Sequence, residues 1–176
     1  MRSLRRLGIL AAAGALLGLL AAALTAAPAL AGRGHKWQYV PAKPMTVPAV
    51  YCGFKIRLTF PADKEYGKLL KAADGSMISL FTGSFKVSFT NLSTGKTITE
   101  NASSPLKQTS TSRYLILSNG GHVGLLLTPA DSKRFGLPTV SVTAGRLTAK
   151  IATASGAIAS LSLHGHVQVN VCAALS

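Results

Sequence analysis

Acidic residues are scarce in this chain: five Asp and Glu stand against nineteen Lys and Arg in 176 residues. So few carboxylates leave little material for general bases, for metal ligands or for the orienting member of a catalytic triad. Two cysteines exclude a four-thiolate zinc or iron–sulfur centre. The sequence also lacks a P-loop, a G-x-G-x-x-G following a strand, a G-x-S-x-G elbow and an H-E-x-x-H pair, so the common nucleotide-binding, hydrolase and zinc-protease signatures are missing. The balance falls against an enzyme, and no cofactor is implied.

What is present begins with a leader. Arg2, Arg5 and Arg6 precede an unbroken run of small and apolar residues from Leu7 to Leu24, and Ala29-Leu30-Ala31 offers an A-x-A site before Gly32. This pattern predicts a secretory signal peptide over residues 1–31, cleaved to leave a mature chain from Gly32. An uncleaved anchor and a twin-arginine route through Arg5-Arg6 are the alternatives. No transmembrane segment is expected after cleavage. The remaining 145 residues are enough for one domain. They keep sixteen basic residues against the same five acids, a net charge of +11. The expected location is extracellular or envelope-associated, with anionic wall polymers or a membrane surface as partners and no specific nucleic acid. A solubilising surface with no dedicated partner is the plain alternative.

Residues 32–49 contain three prolines and no period of two or 3.6, which reads as an extended arm. Trp37 and Tyr39 would dock it on the body or on another surface. The β-domain is then expected over residues 50–176. It starts from Val50–Phe60, where Val50, Cys52, Phe54, Ile56, Leu58 and Phe60 alternate with residues that include Lys55, Arg57 and Thr59. That is the period of a half-buried strand.

The segment 61–75 reads as polar with a short element near Leu69-Leu70, and strands follow at 76–82 and 84–90. Asn91–Gly95 predicts a turn into a strand at 96–101, and 102–111 reads as a loop. Asn119-Gly120-Gly121 between 112–118 and 122–128 predicts a hairpin. A connection with a turn at 131–133 precedes a strand at 140–151, interrupted by a bulge or bend at Ala144-Gly145. The last run extends to Cys172. Cys172 falls on the polar side of that run whereas Cys52 falls on the apolar side of its own, so one end is expected to carry a bulge or to slip out of the ladder.

About eight antiparallel strands make the expected fold all-β. An exported chain with an even cysteine count predicts a Cys52–Cys172 disulfide closing a 121-residue loop. With an even number of up-and-down strands the first and last are neighbours, so the bond would staple a barrel-like seam. A two-sheet sandwich is the alternative.

The combination of a leader with Cys52-Gly53-Phe54, Lys64-Glu65-Tyr66, the turn from Thr90 to Lys96, Asn101 with Ser103 and Pro105, and the terminal Cys172-Ala173-Ala174-Leu175 resembles a group of small secreted actinobacterial proteins of unknown function. The resemblance covers nearly the whole mature chain, with Ser104 standing where that pattern often has glycine. It implies a secreted β-domain and carries no catalytic residues.

The candidate sites are therefore surfaces and interiors. Lys55, Arg57, Lys86, Arg146 and Lys150 lie opposite the apolar positions and are candidates for contact with an anionic surface. Phe54, Phe60, Phe85 and Phe89 would line the interior of a barrel that carries a small hydrophobic ligand. His164 and His166, two apart on a strand, are metal-ligand candidates with His122 or His35 as a third, or simply polar outward residues. Asp63 and Glu65 form a carboxylate pair or solvated loop charges.

Overall fold

Alternation of apolar and polar residues continues well beyond the stretch at 50–60, and the strands it builds are long. The computed structural model describes residues 36–176; the leader, its cleavage site and His35 lie outside the described residues. The order is β1 (Gln38–Tyr39), β2 (Met45–Val47), a 3-10 turn (Ala49–Tyr51), β3 (Ile56–Lys71), β4 (Met77–Asn91), β5 (Thr97–Asn101), β6 (Leu106–Ser110), β7 (Tyr114–Leu126), α1 (Pro129–Phe135), β8 (Val140–Ala152), β9 (Ile158–Asn170) and α2 (Val171–Leu175). All nine strands belong to one antiparallel sheet ordered β1-β3-β4-β6-β7-β8-β9, with β2 on β3 and β5 on β4. The all-β expectation holds. Closure does not: β1 and β9 sit at opposite ends of an open sheet, which is neither a barrel nor a two-sheet sandwich.

Several boundaries are corrected by pairing. The first long strand starts at Ile56, because Ala49–Tyr51 coil into a 3-10 turn and leave Val50 67% exposed. It then runs through the segment read as polar, with a register shift between Thr59 and Ala62 that accommodates Pro61. The two strands read at 76–82 and 84–90 are one, β4. The stretch read as a loop at 102–111 contains β6, and the proline-rich arm supplies β1 and β2 along the outer edge of β3. The connection at 129–138 contains α1, started by Thr128, whose hydroxyl accepts from Asp131 N, and ended by Gly136 in the left-handed region.

The hairpin at Asn119-Gly120-Gly121 is overturned. β7 passes straight through it in one register with β8, from Tyr114↔Ala152 to Leu126↔Val140. Asn-Gly makes a turn only where its flanking segments pair with each other; here both halves pair with β8, and β6 takes the other edge of Leu115–Asn119.

Two cores form. One gathers Phe81, Leu106, Leu117, Leu125, Leu147 and Ile158 with Val40 from the arm. The other gathers Val47, Ile56, Leu58, Val87, Phe89, Val142 and both Val171 and Leu175 of α2. Leu125 belongs to the first and Leu126 to the second, so this end of the β7–β8 ladder is buried on both faces.

The β8–β9 ladder shifts register between Val142 and Thr143, just ahead of the interruption expected at Ala144-Gly145, and Gly121, Gly145 and Gly165 lie opposite one another across β7, β8 and β9. Gly145 has φ +121°, and a Cβ there would clash with His164 O, so the close approach of the β9 backbone requires glycine here. Cys52 and Cys172 are joined in a disulfide with Cα atoms 5.1 Å apart. Neither lies in a ladder: Cys52 follows the 3-10 turn and Cys172 is in α2. The bond ties the two ends of the folded unit without making the terminal strands neighbours.

Two substitutions check this architecture. Gly145→Val should abolish cooperative folding or lower the unfolding free energy read from urea titration by several kcal/mol, through clash and backbone strain together. Ile56→Asp should do the same by forcing a carboxylate into a fully buried site, whereas Lys55→Asp, one residue away and exposed, should leave the melt near wild type. Equal melts for the two aspartate variants would refute the assignment of faces.

Candidate functional site

Because directly opposed residues in an antiparallel ladder point to the same side, the register defines rows that cross the whole sheet. One row on the outer face runs Lys68↔Leu80↔Lys107↔Ser118↔Thr148↔Ser162. The row beside it contains Tyr66 and Thr82 at one side and Gly120, Arg146 and His164 at the other. The next in the opposite direction is Leu70, Ile78, Thr109, Ile116, Lys150 and Ser160. Cations, hydroxyls and a few apolar groups alternate across these rows, and none of the five acids is among them.

Aromatic residues anchor the cations. Lys68 Nζ lies 5.7 Å from the Trp37 ring centre, and Lys150 Nζ lies 3.9 Å from that of Tyr114, within the range of cation–π attraction. Trp37 is 47% exposed and the Tyr39 and Tyr66 rings sit 6.1 Å apart beside it. A groove of about 480 Å³ opens here, lined by Trp37, Leu80, Thr82, Lys107, Ser118, Gly120 and Arg146, with Pro105, Leu106, Phe81 and Asn119 completing it. Asn119 donates from Nδ2 to Ser104 Oγ, while its buried Oδ1 has no partner among the described residues.

The acids are occupied elsewhere. Asp63 accepts from Ala42 N at 2.7 Å and from the Tyr39 hydroxyl at 3.2 Å, pinning the arm to β3. Asp74 accepts from the Ser76 amide and hydroxyl in the β3–β4 turn, and these bonds hold its carboxyl below the usual range. Asp131 caps α1 with Thr128, and Glu100 accepts from Gln168 Nε2 at 3.4 Å. Glu65 lies half-buried opposite Gly83, and burial, aided by the charge of Asp63, pushes it up to about 7.

The five cations singled out from the sequence are split by the fold. Arg146 and Lys150 lie in the rows around the groove. Arg57 and Lys86 lie on the same face of the sheet but at its other half, opposite Thr90 and Ala62. Lys55 is exposed in the turn before β3. Lys107 and Trp37 complete the patch; Lys107 was hidden in a presumed loop, although Leu106 and Gln108 alternating with it gave the strand signal.

The four phenylalanines pack rather than line a space: Phe85 and Phe89 are buried, Phe60 stacks on Phe85 at 5.1 Å, and Phe54 and Phe60 pack against the second core. His164 and His166 share a face, and His122 stands in the same row as His166 with Ala144 between them. His122 Nδ1 is instead bonded to Gln168 Oε1 at 2.7 Å. Among the described residues no group of three His, Cys, Asp or Glu is placed to hold a metal ion. No helix among them is long and apolar enough to cross a membrane. The chain matches no family model, no curated protein and no solved structure.

Glu65 tests the burial that pairing with β4 imposes on β3. Its folded value of about 7 lies above the ordinary 4.5, so the folded state binds the proton more tightly. Its contribution is most favourable below about pH 4.5, declines as pH rises to 7, and is flat beyond, a span of about 3 kcal/mol. Glu65→Gln should remove that decline and raise stability at pH 8, as read from urea unfolding at pH 4.5, 6 and 8. Parallel pH profiles for both proteins would show that the Glu65 carboxyl is not perturbed.

Proposed function

We propose that this chain is an exported, non-catalytic module that associates with anionic polymers of the cell envelope through the outer face of its sheet. The reading rests on one observation above the others: Lys68, Lys107, Arg146 and Lys150 share adjacent rows of a single face, and none of the five acids lies in those rows. A net charge of +11 on the mature chain, with only five acids, produces a positive potential that attracts polyanions at long range, with no enclosed pocket needed. The ladders under the patch hold β6, β7 and β8 in one register, so the cations are presented at regular strand spacing. The hydrophobic segment at 7–24 and the disulfide support export to an oxidising compartment.

Screening decides the test, because exposed charges interact over about 8 Å at physiological salt and about 3 Å at 1 M. Retention on immobilised polyanion should fall steeply between 50 mM and 1 M NaCl. The double variant Lys107→Glu with Arg146→Glu should weaken retention about tenfold. Lys43→Glu with Lys133→Glu changes the net charge equally at exposed positions away from the rows, and should weaken it about threefold or less. Equal losses from the two pairs would mean that total charge, not this face, governs association.

A further inference from the structure

Diffuse electrostatics explains the cations of the outer face but not the aromatic wall beside them. Trp37 is the sole tryptophan of the chain, and it stands half exposed at the rim of the groove with Lys68 against its ring. A polyanion alone gains little from a flat apolar ring, whereas the C–H face of a sugar ring is matched by one. Opposite the tryptophan, Lys107 and Arg146 stand on β6 and β8 with β7 between them. Two strand spacings, roughly 10 Å, separate their backbones, which suits charges repeated along a polymer better than a single small anion.

The floor between these cations is bare. Gly120 lies opposite Arg146 in the β7–β8 ladder, and a Cβ built on it meets nothing within 4 Å. It has no positive φ, so nothing in the backbone requires glycine here. Thr82 and Ser118 border this open strip and supply hydroxyls that both donate and accept.

We propose that this groove binds an acidic polysaccharide: a sugar ring lies against Trp37, its hydroxyls meet Thr82 and Ser118, and its anionic substituents pair with Lys107 and Arg146 across the Gly120 floor. The proposal rests on the electrostatic reading above and adds a sugar-selective element to it.

The two are separated by comparing polymers on the purified full chain by titration calorimetry: polygalacturonate carries sugar rings and charge, polyphosphate charge alone, and dextran rings alone. At 150 mM NaCl, polygalacturonate should bind about tenfold more tightly than polyphosphate per charge, and dextran should not bind measurably. Trp37→Ala should lower polygalacturonate affinity about tenfold and leave polyphosphate within twofold. Gly120→Val, which suits a strand and fills the floor, should do the same; Gly120→Ser replaces it should the valine variant not fold. Unchanged melting curves would exclude global loss of structure. If Trp37→Ala and the Gly120 variant leave polygalacturonate binding within twofold of wild type, the sugar site is refuted while salt-sensitive polyanion binding stands. If neither polyanion binds even at 20 mM NaCl, both readings fall together. Salt-independent binding of dextran would overturn the acidic part of the ligand.

Discussion

Strict alternation of side chains about long antiparallel ladders is the constraint on which the rest of this structure depends. In β4, Phe81, Phe85, Val87 and Phe89 point inward while Leu80, Lys86 and Thr90 point outward, and the same division is carried in register through β6, β7 and β8. A shift of one residue anywhere would exchange core for surface along the entire strand. The register therefore separates an apolar interior from a face on which cations, hydroxyls and aromatic rims accumulate. The positive surface follows from that separation: acids are few, and those present are spent on caps, turns and the arm.

Where neighbouring backbones approach most closely, side chains are absent. Gly121, Gly145 and Gly165 form a transverse row, and Gly83 lies opposite Glu65 in the β3–β4 ladder, where a Cβ would clash with Lys64 O. Beyond the row, at Leu125 and Leu126, β7 contributes to two cores, one on each face. The open ends are then fastened by the disulfide and by Asn91, whose Nδ2 donates to Leu175 O at 3.1 Å and brings α2 down on the second core. On the chain-entropy account, a cross-link closing so long a loop contributes about 5 kcal/mol, a sizeable share of the stability of a domain this size.

The candidate site was legible in part. Arg146 and Lys150 were recognisable as outward-facing cations, and Trp37 as a docking aromatic, because each follows from local alternation or local composition. That Lys107 stands between them was not, since β6 has five residues flanked by Ser, Thr and Pro, and its strand character comes from pairing on both edges with β4 and β7. Phe85 and Phe89 face inward in β4 as their alternation implies, whereas Phe54 lies before β3 and outside any strand. What fills the space around them depends on which strand lies opposite, and here Phe60 stacks on Phe85 while Phe54 packs against the second core.

From the sequence alone came the all-β class, the inward and outward faces of most alternating runs, the pairing of the two cysteines, and the scarcity of acids. Each is a local property: period, residue type or count. Tertiary structure alone decided that Asn119-Gly120-Gly121 runs straight, that the arm adds strands to β3, that the sheet stays open, and which cations share a row. The physical reason is that backbone N–H and C=O groups must be paired, and the partner that satisfies them is chosen by the burial of both strands together. Local sequence encodes the preference of one strand for a face; only the assembled sheet determines its neighbour and its register.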